Sequence, residues 1–299
     1  MITFVIGFCG NEKYLNECET SYIYFYHIKA YFIYDKQYCY CSLICNDKEI
    51  NDIEKIIDYK DKVITVYKSN IYNYKLIYWI DENKLLWEWL SSNPNAIYLL
   101  EQNKDKIDWK WLSKNKNAIH LLEKNQHKLD WEWLSSNPNA IHLLENNLKK
   151  ISWRYMSDNP NAIHLLEANE NSINWDVIWR NENALHLLIQ HEHKINWCYL
   201  SDNINAIDLL KENQNKIDWE WLSSNENAIE LLNSNENKIN WDNLSLNKKA
   251  MHILENNTDK INWIHLSSNP NAIYILEANQ NNIDWYILST NPSIFELDQ

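Results

Sequence analysis

From Trp87 onward the apolar positions return on a fixed schedule. Trp stands at 87, 109, 131, 153, 175, 197, 219, 241, 263 and 285, always 22 residues apart. Asn follows at 93, 115, 137, 159, 181, 203, 225, 247, 269 and 291. Ala fills nine of the ten positions that start at Ala96, and Ile294 fills the tenth. The third unit, WEWLSSNPNAIHLLENNLKKIS, runs over 131–152. Its spacing predicts two short helices. Asp108, Asp130, Asn174 and Asn196 precede the Trp and suit a helix N-cap. Trp109 and Leu112 then supply the apolar stripe of the first helix. Asn137 caps the second helix, and Pro138 takes its first position, where the missing N–H costs nothing. All five prolines (94, 138, 160, 270 and 292) occupy this slot. Ala140, Ile141, Leu143 and Leu144 give the second helix a broad apolar face. With glycine absent from the repeats, Asn103, Asn125 and Asn147 are the expected left-handed residues that end it. Ile107 and its equivalents then re-enter the core.

One such unit buries too few apolar side chains to offset the ordering of 22 residues. Stacked neighbours share faces and become stable as an array. The predicted fold is mainly α. It is an α-solenoid of ten helix-turn-helix units, the last truncated, over 71–299. A capping helix is expected at 74–80, where Leu76, Ile77, Trp79 and Ile80 are apolar. At the other end Asp298 stands in a slot that is Leu in nine units, as a final uncovered face would require.

Residues 1–70 have a different texture and are predicted to form a small Tyr- and Cys-rich α+β domain. They hold both glycines, Gly7 and Gly10, and five of the six Cys. Thr3–Phe8, 22–34, 37–44 and 62–68 read as strands rich in Tyr, Ile, Phe and Val. Residues 47–59 have helical spacing at Ile50, Ile53, Ile56 and Ile57.

Composition narrows the function classes. Two glycines in 299 residues exclude the P-loop, the dinucleotide fingerprint and the nucleophile elbow, which need backbone that only glycine allows. The net charge is −13, and 46 Asn accompany 16 Trp. Almost all the excess acid falls after residue 80, a field of the wrong sign for phosphate backbones or anionic membranes. No apolar run reaches membrane-span length, and no basic segment precedes Ile2 to Cys9 as in a secretory signal. A cytoplasmic, monomeric protein that is not secreted is therefore expected. Cys9, Cys18, Cys39, Cys41, Cys45 and Cys198 read as reduced thiols, since Cys39-x-Cys41-x3-Cys45 lacks zinc spacing. No cofactor, metal or catalytic set is expected.

Two columns are candidate partner-binding surfaces. One lies two residues beyond the fixed Trp: Trp89, Trp111, Trp133, Tyr155, Val177, Tyr199 and Trp221, then Asn243, His265 and Ile287. Two residues are about 200° around a helix, so this column faces away from the first. Trp and Tyr there suit a protein partner or stacked bases. The other column holds His120, His142, His164 and His186. One His per unit cannot easily share an ion, because packed helices stand roughly 8–10 Å apart, so a solvated row is the plainer expectation. Trp109, Trp131, Trp153, Asn115, Asn137 and Asn159 read as structural core and caps. The fifth unit departs most, with Trp179, Arg180, His191, His193 and Cys198. His186, His191, His193 and Cys198 lack any usual metal spacing, which leaves sequence drift or a local binding patch.

The unit W-x-x-L-S-x-N-P-N-A-I-H-L-L-E-x-N-x-x-K-I-N, seen at Asn137 to Glu145 and nearly repeated at 93–101, 159–167 and 269–277, resembles the tandem repeats of proteins from giant DNA viruses of amoebae. The resemblance covers 74–299. It implies a viral protein acting in the host-cell cytoplasm, and it implies no catalytic residues. The expected function is a non-enzymatic scaffold or adaptor for a protein partner. The alternative is a helical-repeat binder of single-stranded nucleic acid, which the acidic balance disfavours. An enzyme housed in 1–70 is a third class, without a recognisable acid–base pair.

Overall fold

The structure, a computed structural model, describes residues 3–8, 11–16, 41–45, 48–49, 63–68 and 74–297. Within them the chain is mainly helical, with regularly repeating helices and little sheet.

Five early strands form one mixed sheet: β1 (Thr3–Phe8), β2 (Asn11–Asn16), β3 (Cys41–Cys45), β4 (Lys48–Glu49) and β5 (Val63–Lys68), in the order β2-β1-β5-β3-β4. β1 and β5 run parallel, and the other neighbours are antiparallel. Thr3–Phe8 is a strand as expected. Two other expected strands appear with shifted bounds, and β2 was not anticipated. Lys48 and Glu49 lie in a strand where a helix over 47–59 was expected. The expected strand at 22–34 lies outside the described residues, as do Cys9, Cys18 and Cys39.

In the repeats the first helix of a unit has four to six residues, as in Trp87–Leu90, Trp109–Lys114 and Trp131–Leu134. The second is equally short, as in Ile97–Gln102, Ile119–Lys124 and Ile141–Glu145. Helices of this length do not persist alone in water, so the packing between units must supply what propensity does not. Asp108 accepts from the N–H groups of Lys110 and Trp111, and Asp130 from that of Trp133. Asn137 caps a 3-10 turn, Pro138–Ala140, which leads into the second helix. The left-handed exits expected at Asn103 and Asn125 do not occur. Asn103 has φ −128° and ψ 53°, and Asn125 has φ −128° and ψ 40°. Each side-chain amide donates instead to the carbonyl four residues back, Leu99 or Leu121. A side-chain donor thus closes the helix end, and glycine is not needed.

The core has three fully buried columns. They begin at Leu90, Ala96 and Leu100, each at 0% exposure. The fixed Trp packs on this core only half-buried, as at Trp109, Trp131 and Trp153. A lysine from the end of the same unit covers its outer ring face: Lys106, Lys128 and Lys150 stand 4.2–4.4 Å from the rings of Trp87, Trp109 and Trp131.

Neighbouring units are tied by side-chain amides. Nδ2 of Asn137 donates to the carbonyls of Ser113 and Asn115 in the unit before, both at 3.0 Å. Asn115 and Asn159 do the same. The second Asn of the motif reaches back too: Asn139 donates to the Lys116 carbonyl and Asn117 to that of Pro94. Ser113 Oγ donates to Trp109 O and accepts from the Asp130 N–H, pinning the start of the next unit.

The array closes on itself. Asn93 in unit one donates to the carbonyls of Ser289 and Asn291 in unit ten, at 3.0 and 2.9 Å. Asn95 reaches Pro292 O, Leu86 N–H donates to Ser289 Oγ, and Lys84 covers Trp285 at 4.5 Å. These hydrogen bonds are of the kind that internal pairs of units make, as between Asn137 and Ser113 or Asn139 and Lys116. The seam is stitched by two short strands, β6 (Tyr74–Leu76) and β7 (Phe295–Leu297), which pair antiparallel with Lys75 opposite Glu296. Ile77 N–H then donates to Ile294 O, so the chain after residue 76 continues the unit that the carboxyl end leaves unfinished.

Two expectations are corrected here. Residues 74–76 are a strand and not part of a capping helix, because Tyr74-Lys75-Leu76 alternates apolar and charged residues beside an equally alternating Phe295-Glu296-Leu297. Unit ten has no uncovered final face, because unit one covers it. Asp298 itself lies outside the described residues.

Candidate partner-binding surface

Closure decides what the two columns face. A cavity of about 560 Å³ is lined jointly by Trp89, Trp111, Pro138, Ile264 and Ile287, which come from units one, two, three, nine and ten. Closure makes these five units consecutive neighbours, so the cavity spans one side of the array and marks that side as the concave one. The aromatic column therefore lines the bore.

Its members touch in series. Trp89 and Trp111 stack at 5.0 Å between centroids, Trp111 and Trp133 lie 5.3 Å apart, and Trp133 and Tyr155 lie 5.5 Å apart. The column residue of unit five is Val177, and Trp179 fills its place. Trp179 stacks on Tyr199 at 4.8 Å with planes 13° apart and meets Trp221 edge-on at 5.6 Å. Tyr199 and Trp221 complete this second group at 5.4 Å. Sequence reasoning placed Trp179 only in a divergent unit. The missed signal was a Trp in a Ser slot in the one unit whose column residue there is Val. The exchange has a local cost: without the serine hydroxyl the first helix is replaced by a 3-10 turn, Ile178–Arg180.

Beside the aromatic row runs a charged one: Lys114, Asp158, Arg180 and Asp202. Desolvation lowers the pKa of Lys114, with Asp158 opposing the shift. Burial raises the pKa of Asp158 against the nearby Arg180 and Lys114. Burial likewise raises that of Asp202, against a hydrogen bond from Ser224 and the charge of Arg180. Lys114 and Arg180 remain solvent-exposed. Crowding by protein around an open space accounts for both observations, as a narrow bore would produce.

The histidine column lies apart from this cavity; of the expected solvated row only His186 is exposed, and the other three rings are largely covered. Each ring is held by a glutamate of the preceding unit: His120 by Glu101 (2.9 Å), His142 by Glu123 (2.7 Å), His164 by Glu145 (2.8 Å) and His186 by Glu167 (3.0 Å). The same slot pairs Tyr274 with Glu255, and Glu277, next in the glutamate column, takes Tyr78 across the seam. Where the acceptor becomes Lys211, the next unit carries Glu230, 3.6 Å away. Complementary exchange within one chain marks the slot as a contact between units. The set His186, His191, His193 and Cys198 is not assembled. His191 packs on Trp175 at 4.8 Å, and Cys198 Sγ donates to Asp218 at 2.9 Å. Desolvation and that hydrogen bond push the Cys198 thiol up to about 11.

The family model described as "Periplasmic copper-binding protein (NosD)" matches residues 54–217 and again 123–284. The chain belongs to the NosD family. The two matched segments overlap and are displaced by close to three repeat lengths, so the period of 22 is what they register. No curated protein matches the chain, and no solved structure does. Copper, which the family description names, does not fit the residues described. The histidine rings are engaged one by one with glutamates, and no group of three or more His, Cys, Asp or Glu capable of holding a metal occurs among the described residues. No helix among them is long and apolar enough to cross a membrane.

Proposed function

We propose that the chain is a non-enzymatic closed α-solenoid, following a small α+β domain, and serves as a protein–protein interaction scaffold or adaptor. The aromatic row carries this reading. Trp89, Trp111, Trp133, Tyr155, Trp179, Tyr199 and Trp221 are held half-buried or deeper by the repeat, as two groups of touching rings on one side of the units. Aromatic side chains of this kind dominate protein–protein contact energy, and their pre-ordering lowers the entropic cost of association. An interface between units that is satisfied within one chain favours a monomer. The repeat resemblance favours a viral protein working in the host-cell cytoplasm. The family description favours a periplasmic copper protein, but the engaged histidines speak against it.

The alternative, a single-stranded nucleic-acid binder, requires free ring faces on which bases can stack. Here the faces are largely occupied by neighbouring rings 4.8–5.5 Å away, and the chain carries a charge of −13.

A photoreactive side chain at Trp133 should crosslink one reproducible protein partner, and the same group at the exposed Ile189 should not. Equal capture at both positions, or none at Trp133, would remove the scaffold reading. A low-salt mobility shift with oligonucleotides would instead establish the alternative.

A further inference from the structure

Around the bore the charges are unevenly placed. The cavity arc from unit nine to unit three is walled by Trp89, Trp111, Ile264 and Ile287, and no carboxylate lines it. Its two cationic groups, Lys114 and Lys116, lie in unit two. Lys114 feels the opposite charge of Asp158 and the like charge of Arg180, both further round the ring. Most of the wall's neutral donors are already spent. Ser92, Ser136, Ser268 and Thr290 give their hydroxyl protons to carbonyls of their own helices, and the Trp111 indole N–H goes to Glu88. An apolar body with a single anionic head matches apolar walls beside two lysines and asks for few further polar partners. The volume of about 560 Å³ suits one small molecule, since such sites usually span roughly 300–1,000 Å³.

We propose that this arc binds a small amphipathic organic anion, an aromatic or aliphatic carboxylate or sulfonate. Its apolar body would lie against Trp89, Trp111 and Ile287, and its head would face Lys114 and Lys116. This goes beyond the scaffold reading and stands or falls separately from it.

Titration of the full chain with 8-anilinonaphthalene-1-sulfonate, followed by the fluorescence of the probe, tests it. The uncharged N-phenyl-1-naphthylamine serves as the matched body without the head. The sulfonate should bind saturably at one site, at least ten-fold tighter than the neutral probe, and weaken as salt rises. The double variant Lys114→Gln with Lys116→Gln should lose at least ten-fold for the sulfonate and leave the neutral probe unchanged. Lys211→Gln, away from the cavity, should alter neither. Absent saturation, equal affinity for the two probes, or an unaffected double variant would overturn the proposal. The salt dependence of the unaltered protein decides the matter even if the double variant fails to fold.

Discussion

The side chain of Asn137 uses its whole amide. Oδ1 accepts from the Asn139 N–H, and both Nδ2 protons go to carbonyls of the preceding unit. Removing it takes away a cap and the donor to the buried Ser113 carbonyl, while Asn115 O keeps the Ala118 N–H. Asn137→Ala should therefore cost about 3 kcal/mol in chemical denaturation, the sum of a cap and an unsatisfied polar group; a cost below about 1 kcal/mol would reduce the residue to a cap. Cys198 offers a second test at this scale. With its thiol pushed up to about 11, the thiolate is scarce at pH 8. Alkylation of this one cysteine, followed by peptide mass spectrometry, should run roughly 100-fold slower than in the unfolded chain. Unfolding in urea should abolish the difference.

Each helix of four to six residues depends on what its neighbours place against it. Lysine over the fixed Trp is one such contact, and Lys150→Ala should destabilise by about 0.5–1 kcal/mol, with Trp131 fluorescence becoming more accessible to quenchers. The His–Glu slot is another. Glu230→Lys should bring two lysines together at position 211 and destabilise, and adding Lys211→Glu should restore most of the loss. Failure of the double exchange to recover stability would show that the slot is not a pairwise contact. The helical pattern of these elements was legible in the sequence because Leu, Ala and Asn recur in fixed order. The lysine cover and the Glu partners were not, because each joins residues 19 positions apart, a separation meaningful only once units are folded and stacked.

At the scale of the whole molecule, closure makes unit one an internal unit. Asn93 donates to Ser289 and Asn291 as Asn137 does to its own predecessor. Asn93→Ala should therefore cost as much as Asn137→Ala. In an open array it would forfeit only its cap, less than half as much. Phe295→Asp, which places a charge at a buried position of the seam, should loosen β6 from β7. Small-angle scattering should then report a larger radius of gyration with an unchanged helical dichroism signal. A ring interface is head-to-tail and satisfied only by closing, so a seam variant that stays compact would contradict the arrangement.

The sequence alone determined the period, the two short helices, the capping asparagines and the proline slot, because each follows from contacts within a few residues. It also placed the aromatic and histidine columns in register. Only the tertiary structure decided that the two ends meet, that the aromatic row faces a bore, and that Trp179 takes the place of Val177. Those outcomes depend on the small turn that each unit adds to the last. Summed over ten units it brings residue 74 to residue 297, and no local pattern of apolar and polar positions encodes that sum.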